Sequence, residues 1–495
     1  MSETLTREIP PPPPPPGDPN ARRNRDIRDT PLPVLGFVAA LVALGVFVSW
    51  WLTAFIVLLV VMIFLHELGH YVAAKRGGMK VTEFFIGFGP RLWSFRRAET
   101  EYGLKAIPAG AYVKVIGMTN LEEVAPQDEE RTYRQASYPR RMAVALAGSF
   151  MHFVQAFVIL LIVYLAWGVT TNENWRVQGI VEGSAAAEAG MQPGDQPLSV
   201  DDRQINEFAD LGSSLTDKAD APVTFTWDRD GRTMSGTATV GSRLTADGAD
   251  AIDGDGGLQE RDRFVSVDGQ PVSGYTEFAQ AVQVGGTYSV DVLRGNSECS
   301  ADVTVRALPP VQSAATGFLG VQAEHPPQSV GALTAARNSV TDIGSISAQS
   351  VSGIVRFISP SNLAGFVSDS FEPRNTTTAE CRVITQADER RALSIVGLGR
   401  LATDAGSDFG AREFLLLFAM FNIFIGLFNL LPTLPFDGGH AVIATYERVR
   451  SRNGRRYFVD VTKVMPVAYV VTVALVTIGA LAIFRDIYDP LRIGG

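Results

Sequence analysis

From Leu32 to Ala74 the chain runs for 43 residues with one charged side chain, Glu67, placed near the end. As one straight helix this run would be about 65 Å long, about twice the thickness of a hydrocarbon core. It therefore predicts two membrane spans, roughly 32–48 and 53–74, turning near Ser49-Trp50-Trp51, where tryptophan suits an interface. One strongly tilted helix with a protruding end is the alternative. The run closes on Phe64-Leu65-His66-Glu67-Leu68-Gly69-His70-Tyr71. That stretch reads H-E-x-x-H, a zinc-binding and general-base pattern, at the end of a segment with the composition of a membrane span.

Three more apolar blocks, Met142 to Val169, Phe414 to Leu431 and Val464 to Ile483, are each long enough for one crossing. Charge is distributed to match. Residues 169–410 carry 17 Lys/Arg against 32 Asp/Glu, so that block is -15 and the remainder of a chain of net charge -9 is +6. Basic segments beside spans and an acidic soluble block follow the positive-inside rule. The expected fold class is a polytopic α-helical membrane protein with a small cytosol-facing β-sheet after the HExxH helix and an extracytoplasmic α/β insert. The two cysteines, Cys299 and Cys381, exclude a disulfide framework and a cysteine-based zinc site; on this topology both fall outside, as a disulfide or as two unpaired residues.

In chain order, residues 1–31 form a polar cytoplasmic tail whose prolines, Pro10 to Pro16, favour a solvated polyproline spacer, an SH3-type ligand being the other reading. Arg22, Arg23, Arg25 and Arg28 place the N-terminus in the cytoplasm. An extra span, 32–50, precedes the HExxH span, 53–74. The basic stretch 75–141 contains strand-like segments Val81–Phe85, Arg91–Phe95, Tyr102–Ile107 and Ala111–Ile116, punctuated by Gly87-Phe88-Gly89-Pro90 and Pro108-Ala109-Gly110. An open sheet edge directly after the HExxH helix can pair with an extended peptide. The span 142–169 carries His152, either a polar residue satisfied within the bundle or a support for the metal site.

Two stretches of the acidic insert echo each other, one from Val177 and one from Gly257. They divide it into modules 170–245 and 246–310. An amphipathic region, 311–410, follows, then a span ending in Asn429-Leu430-Leu431-Pro432-Thr433-Leu434-Pro435-Phe436-Asp437-Gly438-Gly439-His440 over 411–440. Two prolines and two glycines break this helix, and an Asp at that depth is costly unless paired or metal-bound. A basic loop, 441–463, a last span, 464–485, and a tail, 486–495, complete the chain.

His66 and His70, at i and i+4, share one helix face, so both imidazoles reach one ion. Zinc takes two histidines and a carboxylate and keeps a fourth position open; Asp437, at the end of an inward span on the same side, is the best third ligand on topological grounds. Glu67, on the same turn, is placed to take a proton from water and return it to the leaving amine. Asn429 is a nearby donor for a developing oxyanion. A helical substrate must unwind before cleavage, and the strands of 81–116, with Val113 and Val115 at the edge, offer replacement backbone partners.

Together these features resemble the site-2 protease family, in its bacterial regulator-of-sigma branch of intramembrane zinc proteases. HELGH at a span, GFGP followed by ETEYGLKAIPAGAYVKVIGM, the insert, and NLLPTLPFDGGH carry the resemblance over roughly 53–485. The turn Ala189-Gly190-Met191-Gln192-Pro193-Gly194-Asp195 resembles bacterial PDZ domains; the second module lacks the Ala-Gly and Gly-Asp, so its peptide groove is the less secure of the two. The resemblance implies His66, His70 and Asp437 as zinc ligands, Glu67 as base, and Asn429 and Pro432 as substrate-seating residues. It implies a bacterial inner-membrane zinc metalloendopeptidase of regulated intramembrane proteolysis, cutting membrane-anchored single-span proteins such as anti-sigma factors or remnant signal peptides. The PDZ-like modules would hold peptides or act as a size filter. Ala109 and Ala111 stand where many members have Gly, His152 where an A-G-P-x-x-N motif has Asn, and Leu434 where Pro is common. A non-catalytic peptide-binding scaffold and a metal-ion transporter are the other classes; the intact Glu67 argues against the first and the scarcity of relay residues against the second.

Overall fold

The computed structural model describes residues 32–119, 122–254, 257–294, 297–370, 393–451 and 456–488. The proline run, the arginines before the first block, Cys381 and the last seven residues lie outside them. Two compact units divide the chain: one takes residues up to 158 with 345–351 and 395–480, the other 159–344, 352–394 and the C-terminal residues from 481.

The first unit begins with α1 (Leu32–Phe47) and α2 (Trp50–Arg76), so the long apolar run is two helices. Ser49 makes the break: its hydroxyl accepts from the amides of Trp51 and Leu52 at 3.2 and 3.3 Å, capping α2. Lys75 and Arg76 occupy its last turn, where positive charge suits the helix dipole. Among the described residues, four helices are long and apolar enough to cross a membrane: α2, α3 (Tyr138–Ala166), Ala411–Asn429 and Val461–Tyr488; α1 is a shorter apolar helix. With these spans the chain is a multi-pass membrane protein.

Between α2 and α3, the expected short strands merge into two long, bulged ones, β1 (Val81–Arg97) and β2 (Thr100–Val115). Each folds back on the sheet, so Phe84 faces Val113 on one side and Tyr102 on the other, while Phe95 also faces Tyr102. The order across the sheet is therefore 111–115, 81–86, 101–105, 91–97, and the segment 111–115 is paired on one side only. Two contacts fasten this sheet to α2. The Tyr71 and Tyr102 hydroxyls share a hydrogen bond of 2.5 Å, and Glu99 in the hairpin turn takes Lys75 at 2.5 Å and both arms of Arg131 at 2.7 and 2.8 Å. The Arg131 fork, then Lys75, hold the Glu99 carboxyl down to about 2.

The second unit contains two four-stranded sheets of the same design. The first, in spatial order, is 203–204, 196–200, 222–229, 232–239; the second is 270–271, 263–267, 287–294, 297–304. The repeat extends to single side chains. Buried Asp195 is clamped by Arg229 at 2.7 and 2.8 Å, and buried Asp262 by Arg294 at the same distances. Each arginine also donates to the carbonyl of a glycine at the start of the turn, Gly190 or Gly257. Asp201 and Asp268, both at φ 48°, accept from Thr224 and Ser289 in the same way. The second module therefore keeps the buried turn aspartate, as Asp262, although the linear motif around it is lost. Cores of Trp175, Phe225 and Trp227 in one, and of Phe264 stacked on Phe278 at 3.9 Å in the other, fill the modules.

Pairing also runs past residue 310. Strand 315–318 pairs with 241–244, where Leu244 joins the core of the second module, and 321–324 pairs with 176–180 of the first, so one continuous segment completes both modules. Beyond it lie helices Ala332–Ile358, Pro360–Asp369 and Ile395–Asp404, where amphipathic helices were expected.

Candidate metal centre

The site is assembled from three helices of the first unit. α2 presents His66 and His70 one turn apart, with their Nε2 atoms 3.2 Å from each other. The turn after Asn429 ends at Phe436, and Asp437 opens the helix Asp437–Arg450. A carboxylate in a helix first turn is favoured by the dipole. Gly438 and Gly439 allow that start: a β-carbon on Gly438 would strike the carbonyls of Leu430 and Leu431, and one on Gly439 would lie 2.5 Å from the Leu434 amide nitrogen. The preceding turn thus folds directly over the helix end and brings Oδ2 of Asp437 to 3.3 Å from His70 Nε2 and 3.6 Å from His66 Nε2. Ser149 of α3 donates to the same oxygen at 3.3 Å.

These separations test the fit to zinc. Ligand atoms about 2.0–2.1 Å from a tetrahedral ion lie about 3.3 Å apart, and the three here are 3.2, 3.3 and 3.6 Å apart. The donor set, two imidazoles and one carboxylate, is of the catalytic type that leaves a position open. His70 is also oriented to ligate, because its Nδ1–H donates to the Val144 carbonyl at 2.7 Å and leaves Nε2 with a free lone pair. The residues present fit the metal.

α3 shapes the floor. A β-carbon on Gly69 would lie 2.5 Å from the Ala147 carbonyl oxygen, so α2 and α3 cross in close contact there. At the next residue, a β-carbon on Gly148 would lie 2.6 Å from Cε1 and 2.8 Å from Nε2 of His66 and would overlap Nε2 of His70. Both imidazoles rest on that glycine. Behind His66 stands His152, 2% exposed, its ring centroid 5.0 Å from that of His66.

The backbone of Val113, on the one-sided segment of β2, lies near the Glu67 carboxylate. Of the residues expected from sequence, His66, His70 and Asp437 come together and Val113 reaches Glu67. Val115 is buried and paired with Val81. Asn429 ends its helix and Pro432 is exposed in the turn that seats Gly438 and Gly439. Sequence reasoning missed Val144, Gly148 and Ser149; the signal was the run of small residues Ala147-Gly148-Ser149 in an otherwise bulky span.

Residues 54–473 match the model of peptidase family M50. The chain is 29% identical to the zinc metalloprotease Rip1 of Mycolicibacterium smegmatis over 475 residues, covering 89% of this chain and 97% of that protein. Against zinc metalloprotease Rip1 of Mycobacterium tuberculosis it is 29% identical with the same coverage, and against the metalloprotease MmpA of Caulobacter vibrioides 28% identical over 82% of this chain and 89% of that one. The family match spans most of the chain and contains the His66, His70 and Asp437 cluster, and the relatives match nearly end to end. The chain therefore belongs to peptidase family M50, the site-2 proteases of intramembrane proteolysis, and is a zinc metalloendopeptidase of the membrane.

Proposed function

We propose that His66, His70 and Asp437 hold the zinc, that Glu67 is the general base, and that the substrate is a membrane-anchored protein cut within its transmembrane segment. The carrying observation is the near-tetrahedral spacing of three donor atoms beside a glutamate on the same helical turn. Bound zinc supplies Lewis acidity, which makes water a usable nucleophile near neutral pH and polarises the scissile carbonyl. Glu67 removes a proton from that water and passes one to the leaving amine. Val144 fixes the ring of His70 and Ser149 the carboxylate of Asp437, so neither ligand reorganises during turnover.

The unpaired side of residues 111–115 receives the substrate as an added strand, which replaces the hydrogen bonds lost when a helical segment unwinds. The Val113 amide, close to Glu67, places that strand beside the base. Asn429 and Pro432 keep a supporting part by forming the turn under Asp437. The two repeated modules act as PDZ-like peptide holders on the extracytoplasmic side of a bacterial inner membrane, with the metal toward the cytoplasmic side, where Lys75, Arg76 and Lys80 follow the HExxH helix. Anti-sigma factors and remnant signal peptides have the single-span form this site would take.

The test pairs metal analysis with cleavage of a single-span substrate. Glu67→Gln is expected to keep zinc and lose about 10²–10⁴-fold in rate, whereas Asp437→Asn loses zinc as well. Equal cleavage by wild type and Glu67→Gln would reject the assigned base.

A further inference from the structure

His66 differs from His70 in one respect. Its Nδ1 is buried and makes no hydrogen bond of good geometry, the Gly148 backbone being only a weak acceptor for the ring. A metal-ligating histidine ordinarily donates its second ring N–H to an acceptor, which fixes tautomer and orientation. The nearest ring is His152 of α3, whose plane is inclined 44° to that of His66 with centroids 5.0 Å apart. That separation suits an N–H···N hydrogen bond of about 3 Å between two imidazoles after a small ring rotation.

What stands behind His152 decides which of its nitrogens is an acceptor. Asn422 is fully buried in the helix Ala411–Asn429, and its Nδ2 donates to the Phe418 carbonyl at 3.0 Å. Its Oδ1 is therefore the atom facing His152, and it lies 3.3 Å from Nδ1. An amide oxygen only accepts, so Nδ1 of His152 carries the proton and Nε2 keeps a lone pair. The pair is locked in place: a β-carbon on Gly426 would lie 2.9 Å from the His152 Cβ, so the two helices touch there.

We propose that His152 is the positioning residue for His66: its Nε2 accepts from His66 Nδ1–H, while Asn422 selects the His152 tautomer that makes this possible. Proton direction then runs from His66 to His152 to Asn422, and the lone pair of His66 Nε2 points at the metal. The inference rests on His66 being a zinc ligand. It gives a use to a histidine where the related motif carries asparagine, and it makes Asn422 part of the metal centre although it lies one helix further away.

The full-length chain in detergent micelles, stripped of metal and titrated with zinc against a chelator of known affinity, tests this. His152→Phe keeps ring shape without an acceptor and is expected to weaken zinc by about 10–100-fold. His152→Gln restores an acceptor oxygen and is expected to regain most of that loss. Equal weakening in both variants would overturn the proposal, since an acceptor would then not restore affinity, and so would wild-type affinity in His152→Phe, since the ring alone would then suffice. Should His152→Phe fail to fold, Asn422→Leu leaves the ring in place and is expected to weaken zinc and alter the visible spectrum of the cobalt-substituted chain; an unchanged spectrum and affinity count against the proposal. His66→Ala is the separate control: if it binds zinc normally, the ligand assignment fails rather than the role of His152.

Discussion

A β-carbon added to Gly148 would sit 2.6 Å from Cε1 of His66, inside any tolerable contact. Glycine in a helix interior is ordinarily a weakness, worth about 1 kcal/mol against alanine. Here the missing methyl is the space in which the His66 and His70 rings lie. Gly148→Ala is therefore expected to leave the metal-free chain at least as heat-stable as wild type while lowering zinc affinity at least about tenfold. Thermal melts in chelator, with zinc titrations beside them, separate the two effects. An alanine variant that binds zinc as tightly as wild type would contradict the cradle.

The nearness of the Val113 amide to Glu67 makes a second prediction. Val113→Pro removes the N–H and is expected to slow cleavage by about 10–100-fold, the worth of a hydrogen bond to a charged group, with zinc content unchanged. Val113→Ala keeps the amide and should stay close to wild type. A proline variant with normal turnover would show that Glu67 needs no help from the strand.

Glu99 ties the β1–β2 turn to α2 and to Arg131. Its folded-state carboxyl lies near 2, below its ordinary value of 4.5, so it contributes stability that is present above about pH 4.5 and is lost as pH falls toward 2. Glu99→Gln should melt below wild type at pH 7 by a small margin, as expected for a solvent-screened cluster, and the gap should close as pH falls from 4.5 toward 2. A gap that persists in acid would mean that packing rather than charge fastens the turn.

The two modules permit a matched comparison. Asp195 and Asp262 are 1% and 0% exposed, and each is neutralised by one arginine. Removing the arginine leaves a buried, uncompensated carboxylate, which costs about 3–5 kcal/mol. Arg229→Ala and Arg294→Ala should each destabilise their own module by a similar amount, read as new protease cleavage within 170–245 or 246–310. A mild effect at Arg294 alone would show that the second module no longer depends on the clamp.

The proposed metal ligands and base are the part of this protein most legible in its sequence. His66, Glu67 and His70 were readable because helix geometry alone puts i and i+4 on one face, and Asp437 because a carboxylate at a broken span end needs a partner to offset its burial. Gly148 and Val144 were not, since their roles come from where two apolar helices cross, which span composition leaves open. The His152 ring could be flagged as costly but not aimed. Asp262 escaped because its turn keeps the carboxylate and its arginine while Arg261 stands where the first turn has Gly194, and the partner arginine stands 32 residues away. Strands 315–318 and 321–324 are four residues each, too short for period-2 patterning to stand out from the amphipathic region that follows.

That last segment has a consequence for biosynthesis. Strand 176–180 pairs with 321–324, a partner made about 140 residues later, so at ordinary elongation rates it waits roughly 7–30 s for its neighbour. Throughout that interval the first module has an unsatisfied sheet edge, open to pairing with another nascent chain. The second module is translated entirely inside this window and can close only when 315–318 emerges, a few residues before the first. The two therefore finish almost together, and a ribosome stalled before residue 315 holds neither.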